Sequence, residues 1–183
     1  MTHRAAGRIA GTVLAIVFAA APLMVAKATG EATASPREVI VAGKRIGPIR
    51  FGITSLQRAK AFFGSPTVQR RVPLGCIRAV KARWGDELTL FFTADRPHLA
   101  IQGTVRKRTI TSRVHGDLRI HTRKGLGVRD PNRRLRRLYP NKVPARHRGH
   151  FDYFLKSSPK LVAITKHRRS RVRALFSGPY ENC

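Results

Sequence analysis

Carboxylates are what this chain lacks most. Its 183 residues hold 9 Asp and Glu against 37 Lys and Arg, a formal net charge of +28. None of the nine forms an acid–base pair recognisable from spacing. Asp86 and Glu87 follow Trp84-Gly85 and read as a hairpin turn. Cysteine is nearly missing too: only Cys76 and Cys183 are present, so no thiol near the N-terminus is available for acylation. Beyond the first 28 residues no apolar run approaches the ~20 residues that a spanning helix needs. No Gly-x-Ser-x-Gly elbow, P-loop or dinucleotide fingerprint occurs, and Gly125-Leu126-Gly127 lacks the third glycine.

The first 28 residues stand apart. Arg4 and Arg8 lead, no acid precedes Glu31, and Ile9 to Val25 is rich in Ala, Val, Ile, Leu and Phe. Ala26-Lys27-Ala28 then supplies a small-x-small exit, with Ala32-Thr33-Ala34 as a second candidate. These features predict a cleavable secretory signal over 1–28. The alternative, an uncleaved anchor, has to accommodate Gly11 and Pro22 inside the apolar run. Residues 29–37 read as a linker. An exported chain with an even cysteine count predicts a disulfide, here Cys76 to Cys183. Losing Arg4, Arg8 and Lys27 with the signal lowers the charge from +28 by three, to +25.

Two segments carry helix signals. Thr54 reads as an N-cap with Gln57 three residues on. Leu56, Ala59, Phe62 and Phe63 share a face, and Gly64 ends the helix. Further on, Asp130 reads as a cap and Pro131 as the first helical residue. Leu135, Leu138 and Tyr139 follow as the apolar face, and Pro140 is the stop. Shifting by 76 residues lays Thr54 on Asp130, Ala59 on Leu135 and Phe62 on Leu138. Strand patterns follow both helices: 76–84, 88–92 and 99–105, then 151–155, 161–165 and 172–176. Val39-Ile40-Val41 begins the first unit. The expected fold is therefore α+β, in two similar halves, 38–108 and 109–183. Each would be a capped helix followed by a three- to four-stranded antiparallel sheet.

Ile49-Arg50-Phe51-Gly52-Ile53-Thr54, the helix ending at Gly64 and the early Cys76 resemble a group of small secreted actinobacterial proteins. Gly125-Leu126-Gly127-Val128-Arg129-Asp130-Pro131, Leu138-Tyr139-Pro140 and the final Glu181-Asn182-Cys183 resemble later segments of that group. Arg129 and Pro131 depart from the group's Gly and Ser. The repeat resembles the architecture of the β-lactamase inhibitor protein and of the small outer-membrane assembly lipoprotein. That resemblance implies a binding protein, not an enzyme.

The charge itself points to polyanions. Arg106-Lys107-Arg108 opens the basic tracts. Arg133, Arg136 and Arg137 fall on one side of the second helix. Arg146 and Arg148 flank His147, and Lys166, Arg168, Arg169, Arg171 and Arg173 form a further tract. These last ten residues are the candidate anion-binding face, with a merely solvated charged surface as the alternative. Phe151, Tyr153 and Phe154 beside them read as core. His147 and His150 have a metal-like spacing, but Arg146 and Arg148 repel a cation, so no metal and no cofactor is expected. The expected function is a secreted, non-enzymatic binding or structural domain, held to anionic envelope components or to an acidic partner. A protein inhibitor or other protein-binding module is the second reading. A secreted ribonuclease using His115, His121 or His150 is the third. Non-specific nucleic-acid binding fits the charge, and no sequence-reading motif accompanies it.

Overall fold

Short apolar runs broken by Gly and Pro make this chain a sequence of strands. A computed structural model describes residues 38–155 and 160–178. The proposed signal 1–28, the linker 29–37 and Cys183 lie outside the described residues. Strands β1 (Val39–Val41), β2 (Arg45–Ile46) and β3 (Ile49–Arg50) come first, then helix α1 (Leu56–Phe63). A meander follows: β4 (Val68–Leu74), β5 (Ile77–Trp84), β6 (Leu88–Thr93) and β7 (Ala100–Val105). A hairpin, β8 (Thr109–Ser112) with β9 (Gly116–Arg119), and the short β10 (His121–Thr122) lead to helix α2 (Asn132–Leu138). A second meander closes the chain: β11 (Val143–His147), β12 (His150–Phe154), β13 (Leu161–Thr165) and β14 (Val172–Ser177).

The expected α+β fold of two helix-capped halves is overturned. Strand makes up 50% of the structure and helix 11%, so the protein is mostly β. The two meanders are not separate sheets. They join into one antiparallel sheet in the order β11-β12-β13-β14-β7-β6-β5-β4. The seam is β14 against β7, with Leu175 opposite Val105. The physical reason is the edge problem: kept apart, β7 and β14 would each expose a row of unpaired N–H and C=O groups. One rung of the sheet runs Tyr153, Ala163, Leu175, Val105, Leu88, Trp84 across six strands. All six residues are buried in the core. The halves also interleave elsewhere, because β1 pairs in parallel with β10.

The core lies between one face of this sheet and the remaining elements. Ile40, Ile46 and Ile49 of the small sheet, Leu56 and Ala59 of α1, Ile110 and Leu118 of the hairpin, and Leu135 of α2 pack there. Gly103 lets the small sheet come close, since a Cβ would stand 2.6 Å from Leu90 Cδ2 and 2.9 Å from Ile46 Cδ1.

Both helix starts differ from the sequence reading by one residue. Ser55, not Thr54, caps α1 by accepting from the Arg58 N–H at 3.2 Å. Thr54 Oγ1 instead accepts from the Arg50 N–H at 2.9 Å, holding the preceding turn. Pro131 is the N-cap residue of α2 and gives no side-chain bond. Asp130 is used elsewhere, as shown below. Gly64 does end α1, at φ 82°. The carbonyls left over at that end are satisfied from outside the helix. Phe62 O accepts from Arg113 N–H at 2.7 Å and from Ser112 Oγ at 3.0 Å, and Gly64 O accepts from Trp84 Nε1 at 2.8 Å.

Candidate functional site

The site grows out of the β11–β12 hairpin. Its turn is two residues long, Arg148-Gly149, and Gly149 takes φ 82°, which glycine adopts at no steric cost. So short a turn makes His147 and His150 the closing cross-strand pair. Their rings stack with centroids 5.1 Å apart and planes 17° from parallel. Strand alternation then puts Asp152, two residues after His150, on the same face. Ala145 lies opposite Asp152, so no bulky side chain covers it from β11.

Asp152 is buried on the sheet face away from the core, its side chain 8% exposed. Its register partner on β13 is Ile164, which offers no donor. The carboxylate therefore turns to the imidazoles. His147 Nε2 lies 3.3 Å from Oδ2 and His150 Nε2 lies 3.5 Å from Oδ1. The second contact is too long for a good hydrogen bond, and Oδ1 has no other partner.

A pocket of about 420 Å³ opens at this end of the hairpin, lined by Arg146, His147, Arg148, Gly149, His150, Phe151, Lys166 and His167, with Asp152 behind the two imidazoles and outside the lining. Lys166 and His167 come from the β13–β14 turn, which a meander places at the same end as the β11–β12 turn. That turn is ordered by its own bonds. Ser170 Oγ accepts the His167 N–H at 2.8 Å and donates to the His167 carbonyl at 2.9 Å. Tyr153 Oη donates to Arg168 O at 3.1 Å and ties the turn to β12.

All ten sequence-predicted anion-binding residues are exposed: Arg133, Arg136, Arg137, Arg146, Arg148, Lys166, Arg168, Arg169, Arg171 and Arg173. Arg146, Arg148 and Lys166 converge on the pocket, while Arg168, Arg169 and Arg171 continue the same turn. Arg171 also donates to Arg129 O at 3.1 Å. Arg133, Arg136, Arg137 and Arg173 do not line the pocket. On α2, Arg136 Nε donates to Asn132 Oδ1 at 3.1 Å. Nearby Lys142 is pushed below its ordinary pKa, first by desolvation and then by the charge of Arg136. Cys76 is exposed in the β4–β5 turn; its proposed partner lies outside the described residues. Of the aromatics read as core, Tyr153 is in the core and Phe151 packs against it, whereas Phe154 is half-buried on the opposite face.

The sequence reading missed Asp152 and His167 as members of this site. Asp152 was legible as an i, i+2 neighbour of His150 within a strand. His167 was not, because only the meander brings its turn alongside. Among the described residues, no group of three His, Cys, Asp or Glu has an arrangement fit for a metal ion, and no helix is long and apolar enough to cross a membrane. Comparison with family models, curated proteins and solved structures finds no match for this chain.

Proposed function

We propose that this is an exported, non-enzymatic binding protein whose basic end holds it to anionic polymer, most simply in the cell envelope. One observation carries the reading. Six exposed basic residues gather at one end of the sheet: Arg146 near the end of β11, Arg148 in the β11–β12 turn, and Lys166, Arg168, Arg169 and Arg171 in the β13–β14 turn, with one buried carboxylate, Asp152, nearby on β12. So dense a charge attracts polyanions and weakens as salt screens it. The leader-like segment 1–28 and a Cys76–Cys183 bridge belong to the same reading, which places the protein outside the cytoplasm.

The test is fractionation of the native host followed by washes of rising salt. Wild-type protein should stay with the envelope at low salt and leave it at high salt. A variant with Arg146, Arg148, Lys166, Arg168 and Arg169 changed to Gln should leave at distinctly lower salt. Wild-type protein found wholly in the medium at low salt would overturn the reading. Intact mass after thiol blocking without reductant reports the bridge: two blocked thiols rule it out. A second reading, a ribonuclease, draws on the paired imidazoles and Asp152. Incubating purified protein with RNA decides it, and intact RNA removes it.

A further inference from the structure

We infer that His147 and His150, seated on Asp152, form a phosphate-binding site that takes up a proton when it fills. This deepens the polyanion reading and rests on it, by separating one built site from the general charge of the surface.

The argument begins with the tautomer. A neutral imidazole has one N–H and one bare nitrogen. Asp152 is an acceptor, so each ring meets it best with the proton on Nε2, the atom found 3.3 and 3.5 Å away. That leaves Nδ1 bare on the opposite edge of each ring. The rings are 44% and 40% exposed and line the pocket. A bare nitrogen repels an oxyanion. A protonated ring keeps Nε2–H on Asp152 and adds Nδ1–H as a second donor. An oxyanion in the pocket therefore favours the doubly protonated rings, and binding draws in protons.

Asp152 makes this possible at close quarters. Two imidazolium rings stacked 5.1 Å apart repel each other. A buried carboxylate touching both offsets that repulsion. Its Oδ1 lacks a good bond while His150 Nε2 stands 3.5 Å off. A small approach of that ring would complete the bond. The other charged or titratable groups that line the pocket are Arg146 on β11, which alternation puts on the face opposite the imidazoles, Arg148 in the turn, and Lys166 and His167 on the β13–β14 turn. All are positive or become so, and a tetrahedral oxyanion suits such converging donors. Phosphate is the biological oxyanion of that shape, whether as a terminal monoester or as a bridging diester of a polymer.

The experiment uses purified exported protein and calorimetric titration. Sulfate is the first probe, because it keeps its charge between pH 8 and pH 6. Imidazoles ordinarily gain their proton across that interval. Binding should be about tenfold tighter at pH 6. At pH 7, buffers of different ionisation heat should reveal net proton uptake. The double variant His147→Gln with His150→Gln should lose about tenfold in affinity at pH 6 and lose the proton uptake. His167→Gln should keep the uptake, which assigns it to the pair. Methyl phosphate and dimethyl phosphate at pH 6 then separate terminal from bridging phosphate, and binding of either supports the site. Equal wild-type affinity at both pH values, unchanged binding by the double variant, or failure of both phosphate esters would each overturn the inference. The underlying polyanion reading fails separately. The double variant should still be retained on the envelope at pH 8, whereas loss of retention with an intact sulfate site would sink only that reading.

Discussion

Two buried aspartates anchor the second half of this molecule, and they are held very differently. Asp130 stands just before α2, and Asp152 lies on β12. Their side chains are 6% and 8% exposed, so burial does not distinguish them. Partners do. Asp130 Oδ2 accepts from the Gly127 N–H at 2.8 Å and lies 3.5 Å from Arg134 Nε, while Oδ1 lies 3.8 Å from Arg108. Its main chain is fixed as well: Val172 N–H donates to Asp130 O at 2.9 Å. Every partner is a backbone group or a permanent cation. Asp152 has two imidazoles, both loose, and one oxygen without a proper bond. A carboxylate with permanent partners fixes a fold. One held only by long contacts to two half-exposed imidazoles leaves its surroundings free to rearrange.

The largest expected effect tests the structural member. Asp130→Ala leaves the buried Gly127 N–H without its acceptor and removes the longer contacts to Arg134 and Arg108. It should cost about 2 kcal/mol in urea unfolding, most of it from the unsatisfied N–H. Asp152→Ala should cost under about 0.5 kcal/mol, because its partners are exposed enough for water to replace it. Similar costs for the two would erase the contrast.

A second expectation concerns the surroundings of Asp130. Tyr139 Oη donates to Thr122 Oγ1 at 2.7 Å, and Thr122 Oγ1 accepts from the Leu126 N–H at 3.1 Å in the loop leading to Gly127. Tyr139→Phe should cost about 1 kcal/mol near neutral pH. Burial pushes the Tyr139 phenol above its ordinary pKa of 10.0, against the lowering effect of its hydrogen bonds. The unfolded chain therefore gives up this proton first as pH rises. Stability attributable to Tyr139 is fully present below pH 10.0 and falls as pH rises through the higher folded value. Urea unfolding from pH 9 to 11 should show the decline in wild type and a shallower one in Tyr139→Phe.

Two smaller effects follow. Arg129, next to Asp130, adopts φ 70°, in the left-handed region that disfavours a side chain. Arg129→Gly should raise stability by up to about 1 kcal/mol, measured by thermal unfolding. Ser55→Ala should cost about 0.5–1 kcal/mol by removing the one side-chain cap on the two helices. If Pro131→Ala cost as much as Ser55→Ala, the asymmetry between the helix starts would be wrong.

Much of the local structure was readable in advance. Gly64 stops α1, Pro140 follows α2, and Leu161–Thr165 is a strand as its run of apolar residues suggests. The central strands were legible because the face of each that packs into the core demands apolar residues at alternate positions. β4 and β11 were not. They are the two edges of the eight-stranded sheet and carry Gln69, Arg70, Arg71 and Pro73, or Pro144, Arg146 and His147. Those residues blunt an edge against further pairing, and for the same reason they hide the strand from a pattern of apolar alternation. In the candidate site, His147, His150, Arg146 and Arg148 were visible as a cluster along the chain. Asp152 was read only as part of a strand.

The chain alone determined its surplus of positive charge, its two helices with their stops, and most of its buried strands, because net charge, turn residues and side-chain periodicity are local properties. Tertiary structure decided that the two meanders close into one sheet, because only another strand satisfies the open backbone edges of β7 and β14. It also decided which aspartate meets guanidinium and which meets imidazole. Partners come from residues far apart in the chain, and their distances are set by packing.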